Sequence, residues 1–231
     1  MFFILLAIEY MFYRTHVSHK YNVSKVGNHF FYPITYTDTK PIIYSFGVGT
    51  NVDFDKSISK LYACKVYMYD PTPVAKKFMS SVKDNLLIFH SYGIWIKNKI
   101  VKFFFDKNKK FDGKKNMSIT NLFNTDSFLE FQCYTLETIM KKNDHSTVNI
   151  LKLDIEGSAI SVMEHMLFSK IFPDQIIVEF ETPSALFGNK SRDILLFYKK
   201  RKKIFKNCLL FGYKLIHHQE FNYLFVKKDL L

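Results

Sequence analysis

At 231 residues and 48% apolar content, the chain can bury one full core, and a single α/β domain is the default expectation. Its 33 basic and 21 acidic residues leave a net charge of +12, which favours an anionic ligand, a nucleic acid or an acidic membrane surface. The joint abundance of Lys, Asn, Phe, Tyr and Ile is also what AT-rich coding produces, with the excess Lys on a solvated surface. Cys64, Cys133 and Cys208 are odd in number and widely spaced, without a C-x-x-C pair, which excludes a disulfide framework and a thiolate zinc site and leaves buried, reduced thiols. The apolar start, Met1 to Tyr13, lacks a basic flank, is interrupted by Glu9 and falls short of the roughly 20 residues of a membrane span. It reads as a core or docking helix, and the cytoplasm is the expected location.

Residues 14 to 40 are polar and rich in Tyr, His and Asn, so the first 40 residues read as a helix and irregular lead-in packing on a domain spanning 41–231. From Pro41 strands and helices alternate. Ile42 to Phe46 suits a strand, Phe54 to Tyr62 a helix, Lys65 to Tyr69 a strand and Val74 to Val82 a helix. This alternation implies a parallel sheet with crossover helices. Leu86 to Ile96 and Ile100 to Phe105, separated by Lys97-Asn98-Lys99, suit a strand pair or hairpin, and Asp106 to Lys115 a solvated loop. Glu130 to Tyr134 reads as a strand, Leu136 to Lys142 as a helix, Val148 to Ile155 as a strand and Ser158 to Lys170 as a helix. Gln175 to Phe180 is a further strand, followed by a helix from Ser191 to Gly212 with apolar residues at helical spacing. Tyr213 to His217 and Tyr223 to Val226 complete the chain as an antiparallel edge.

Three junctions carry chemistry. The first strand runs into Gly47-Val48-Gly49, where two glycines let backbone approach a ligand. Val52 stands where the third glycine of a dinucleotide-binding loop belongs, which weakens a nicotinamide or flavin reading. The second strand ends in Tyr69-Asp70-Pro71-Thr72-Pro73, with an acid about 20 residues after the glycine turn, the spacing of a ribose-binding carboxylate. Asp before Pro also starts ordinary turns. The string Leu151-Lys152-Leu153-Asp154-Ile155-Glu156-Gly157 ends a strand in two carboxylates, which fit either a ligand site or the favourable start of the next helix.

In order and spacing, Tyr44-Ser45-Phe46-Gly47-Val48-Gly49, Phe54-Asp55, the Asp70-Pro71-Thr72-Pro73 string and Lys152-Leu153-Asp154-Ile155-Glu156-Gly157 resemble the FkbM family of S-adenosylmethionine-dependent methyltransferases. Gln175 to Phe180 and Asn222 to Val226 resemble the last family strands, so the likeness spans roughly residues 41 to 228. It implies a Rossmann-like class I methyltransferase with a mostly parallel seven-stranded sheet, helices on both faces and an antiparallel C-terminal edge. The implied cofactor is S-adenosyl-L-methionine. Its implied contacts are Ser45, Phe46, Gly47, Val48, Gly49, Asp70, Pro71 and Asp154. Two departures stand out, since Ala159 replaces a frequent second acid and Ser45 an acid near the glycine turn.

The reaction implied by the resemblance is methyl transfer to a hydroxyl of a saccharide or other small metabolite. The oxygen must attack in line, so alignment dominates and a base assists. Asp154 is the first catalytic candidate and His90, after the third strand, the second. No metal is expected, although Asp154, Glu156 and Glu179 are three carboxylates that could hold one. Lys199 to Lys203 form a basic run, which is either a solvated helix face or a strip for RNA or another anion. A basic nucleic-acid-binding module on a degenerate methyltransferase fold is thus the alternative function. A nicotinamide-dependent oxidoreductase comes third.

Overall fold

In the computed structural model, residues 20–37, 39–106, 117–121, 124–180 and 191–231 are described. The expected helix at Met1 to Tyr13, and all of the Asp106 to Lys115 loop except its first residue, lie outside them. A hairpin, β1 (Ser24–Val26) and β2 (His29–Phe31), comes first. The main sheet contains β3 (Ile43–Phe46), β4 (Val66–Tyr69), β5 (Leu87–His90), β9 (Ile150–Leu153), β10 (Gln175–Glu179), β11 (Tyr213–Gln219) and β12 (Asn222–Lys227). The helices are α1 (Asp53–Tyr62), α2 (Pro73–Met79), α3 (Leu136–Lys142), α4 (Ala159–Phe168) and α5 (Ser191–Leu210).

The seven strands lie in the order β11-β12-β10-β9-β3-β4-β5. Pairing is parallel from β10 to β5, whereas β12 runs antiparallel between β10 and β11. This is the Rossmann-like methyltransferase architecture, and the strand order reverses between β3 and β9. Every residue of β3 and β9 is buried, as a sheet covered on both faces requires. Because side chains alternate across a strand, Tyr44, Phe46, Leu151 and Leu153 join one core cluster and Ile43 and Ile150 the other. Ser45 and Lys152 are paired in register on that second face, beneath α1. A lysine in mid-sheet is unusual, and its role emerges at the site.

Two regions differ from the sequence expectation. The polar lead-in contains the β1–β2 hairpin, because Phe31 enters the core and Gln175 exchanges hydrogen bonds with the Tyr32 backbone in both directions at 2.9 Å. The expected Leu86–Phe105 hairpin does not form. β5 instead joins the main sheet, while β6 (Gly93–Ile94) and β7 (Lys99–Phe104) each pair with β8 (Phe128–Tyr134) in a separate three-stranded sheet. Asn98 explains the change: its Oδ1 accepts from the Thr135 amide at 2.9 Å and its Nδ2 donates to Thr138 Oγ1 at 2.9 Å, tying the turn to the start of α3.

The remaining elements follow local rules. Pro73 opens α2, whose cap is the Thr72 hydroxyl, and Thr135 caps α3 likewise. α1 carries Asp53 and Asp55 in its first turn and stops at Ala63, held at φ 46°. Cys64, Cys133 and Cys208 are buried free thiols. Val52, at the third-glycine position, is packed in the core.

Candidate active site

The site lies outside the carboxyl ends of β3, β4 and β9, where the strand order reverses and an open α/β sheet leaves a crevice. A cavity of about 200 Å³ opens there. Phe46, Gly47, Val48 and Gly49 form its floor, Asp70 and Pro71 one wall, and Asp154 to Glu156 the other. The small second sheet covers it, contributing Gly93, Ile94 and Phe103, with Met117 and Ile119 alongside.

Gly47 is obligatory. Its φ is +82°, and a Cβ there would lie 1.7 Å from the Asp154 carbonyl oxygen. Gly49, at φ +53°, would meet nothing within 4 Å, so its bare backbone faces open space available to a ligand. Asp70 holds this loop in shape. Its Oδ2 accepts from the Val48 and Gly49 amides, both at 2.9 Å, and its Oδ1 accepts from the Thr72 amide at 2.9 Å and the Thr72 hydroxyl at 2.6 Å. Four hydrogen bonds fill the usual capacity of a carboxylate. Asp70 therefore positions the glycine loop before any ligand arrives.

The Asp154–Gly157 turn is fixed from above. Ser118 Oγ donates to the Glu156 carbonyl at 2.7 Å and Thr120 Oγ1 to the Gly157 carbonyl at 3.3 Å. Gly157 adopts φ +72°, and a Cβ on it would press on both hydroxyls. Ser158 Oγ donates to the Ile155 carbonyl, so it closes the turn rather than capping α4.

A second cavity of about 140 Å³ lies on the α1 side of the glycine loop and shares Gly47, Val48 and Asp154 with the first. Its lining is polar: Asp55, Lys152, Glu179, His29, Asn28, Asn51 and Asn222 all contribute. Lys152 Nζ donates to the Gly47 carbonyl at 3.2 Å and reaches Asp154 Oδ2 at 3.4 Å. Burial, then the neighbouring Asp154 and Glu156 charges, raises the Glu179 pKa to about 7. Burial also lowers His29 to about 4, helped by Lys152, so its ring is neutral at physiological pH.

All the expected cofactor contacts except Ser45 line the first cavity. Ser45 is fully buried beneath α1. His90 lines neither cavity: its ring stacks on Tyr69 at 5.1 Å and 12°, and its buried Nε2 has no hydrogen-bond partner. Asp154 borders both cavities, Glu179 only the second and Glu156 only the first. Among the described residues no three His, Cys, Asp or Glu side chains are grouped to hold a metal ion. The covering residues Ser118 and Thr120 had no sequence signal. Lys152 had one, a charge within an otherwise apolar strand.

Sheet order and cavity together define a Rossmann-like methyltransferase. The FkbM methyltransferase domain model matches residues 35–205, and the chain belongs to that family. No curated protein matches the chain significantly. Among solved structures, the fibrillarin pre-rRNA processing protein of Methanococcus jannaschii is similar over 91% of this chain and 84% of its own, at 9% identity and a TM-score of 0.41.

Proposed function

We propose that the protein transfers the methyl group of S-adenosylmethionine to a hydroxyl of a saccharide or other small metabolite. The carrying observation is the cavity at the β3–β9 reversal, built on a glycine loop that Asp70 holds open to a ligand. Phe46, Gly47, Val48, Gly49, Pro71 and Asp154 are the residues that would hold the donor, with Asp70 acting through the loop it braces. The bare Gly49 backbone suits close approach by a ligand, and the apolar Ile94, Phe103, Met117 and Ile119 suit a flat base. Bound there, S-adenosylmethionine would supply an electrophilic methyl group.

The chain's own task is alignment and proton removal. Asp154 borders both cavities and is suited to orient an acceptor hydroxyl. Glu179, with a pKa near 7, is suited to take its proton at neutral pH. The covering segment of Met117 and Ile119, pinned through Ser118 and Thr120, would keep water from the donor.

Calorimetric titration of S-adenosylmethionine into protein stripped of endogenous ligand should give one-site binding, and a flat isotherm would sink the reading. Incubating cell extracts with methyl-labelled donor and analysing them by mass spectrometry should reveal a labelled small metabolite. Label in RNA or protein alone would reject the small-molecule acceptor.

The nucleic-acid reading gains no support from α5. Arg201 turns inward onto Tyr198 and Tyr223, and Lys203 pairs with Glu164 at 2.7 Å, so the basic run is not one continuous strip.

A further inference from the structure

The end of the sheet opposite the site presents an apolar corner that the fold leaves uncovered. β10 and β11 run in the same direction, each antiparallel to β12, and α4 and α5 end just before them, at Phe168 and Leu210. Both helix ends therefore lie at the amino ends of these strands, away from the two cavities. There Leu210 is 72% exposed, Phe168 62% and Phe211 38%. They form one cluster: Phe168 meets Phe211 edge to face at 6.3 Å, and Phe211 lies at 5.5 Å on Phe172, which packs against the core. A single exposed apolar residue needs no explanation, whereas a cluster marks a contact surface. Lysines rim it. Lys170 follows Phe168 by two residues, Lys206 stands one turn before Leu210, and the Lys228 Nζ donates to the Leu209 carbonyl at 3.2 Å; all three side chains are exposed. The nearby acids Asp174 and Glu164 are engaged by Lys227 and Lys203 at 2.9 and 2.7 Å, while Asp229 follows Lys228 in the chain. The corner is apolar at its centre and mainly positive at its rim.

We propose that this corner docks the protein on an anionic lipid surface, with Phe168, Leu210 and Phe211 entering the headgroup layer and Lys170, Lys206 and Lys228 meeting the lipid phosphates and carboxylates. Exposed aromatic and leucine side chains flanked by lysines match the boundary between headgroups and acyl chains, which takes up both. Two other occupants fit less well. A second copy meeting the corner about a two-fold axis would set the same lysines against one another. A single-stranded nucleic acid would use the lysines and could stack on a ring, but it has no use for Leu210, the most exposed of the three apolar residues. Docking at the amino ends of the strands turns the site, at their carboxyl ends, towards the solution. A small acceptor could then reach it from there. The proposal does not depend on the methyl-donor reading.

The test is co-sedimentation of the full chain with vesicles of pure phosphatidylcholine and of an equimolar mixture with phosphatidylserine. The protein should bind the mixed vesicles about tenfold or more tightly than the neutral ones, and added salt should narrow the gap. Combining Phe168→Ser, Leu210→Ser and Phe211→Ser should weaken binding to mixed vesicles by about tenfold or more. Lys170→Gln with Lys206→Gln should do the same. Ile100→Ser is the control, because Ile100 is 62% exposed but sits on β7, in the small sheet that covers the site, and should change nothing. Absent binding, equal binding to both vesicles, or an equal loss in Ile100→Ser would overturn the proposal. Binding that survives both sets of substitutions would also overturn it, since another segment would then hold the membrane. So would a corner that takes polyuridylate or a second copy, by co-sedimentation or analytical ultracentrifugation, but not vesicles. Should the serine variant not fold, the lysine pair decides, because both of its side chains are exposed.

Discussion

The two sides of the glycine loop treat their carboxylates in opposite ways. Asp70 makes four hydrogen bonds to its own chain, whereas Asp55, more deeply buried, has an oxygen with none. One carboxylate braces the glycine loop, and the other borders the polar cavity under α1. The lesson is that burial alone does not separate scaffold from site. The count of satisfied lone pairs does.

The contrast can be broken most forcefully at Gly47. Gly47→Ala puts a methyl group against the Asp154 carbonyl in a left-handed backbone, and should cost about 3 kcal/mol of stability and abolish donor binding, as read by denaturant unfolding and calorimetry. Gly49→Ala has no clash and should cost only about 1 kcal/mol. If the two variants are equally unstable, the loop is not braced where the structure braces it.

Asp70→Ala comes next. It strands the Val48, Gly49 and Thr72 amides, so unfolding should become easier by about 2 kcal/mol, and donor affinity should fall with it. Unchanged stability would remove Asp70 from the scaffold, and unchanged affinity would remove it from the donor site.

On the other side of the loop the sign reverses. Glu179 binds its proton more tightly folded, at about 7, than at its ordinary value of 4.5, so between these values the native state holds more protons and stability falls as pH rises. Glu179→Gln should therefore stabilise the protein at pH 8 by about 2 kcal/mol, an advantage that vanishes below about pH 4.5. A pH-independent difference in Tm would rule out that titration. The smallest effect is expected for Asp55→Asn, a slight rise in Tm at pH 8, because burial disfavours the charged form of this carboxylate. A marked loss there would mean that Asp55 is scaffold after all.

Much of the fold was legible because its strands are buried on both faces and read as apolar runs, as in Ile176 to Val178. The glycine turn, Asp70 and Asp154 were legible for a related reason, since polar residues at the end of such a run have nowhere else to go. The small sheet was not, because Gly93–Ile94 is two residues long and its partner Phe128–Tyr134 lies far along the chain. Phe54-Asp55 was visible as part of the family pattern, yet its role was hidden. Only the sheet register, which sets Ser45 beside Lys152 under α1, shows that Asp55 descends onto a polar patch.

The position of β12 has a consequence for how the molecule is made. The last strand of the chain lies between β10 and β11, hydrogen-bonded to both. Until Asn222–Lys227 has been synthesised, β10 must expose the open edge of an otherwise finished sheet, and β11 has no neighbour at all. A nascent chain thus carries a sticky seam until β12 has emerged. A chain cut just before Asn222 would leave the sheet unsealed and prone to pair with other chains.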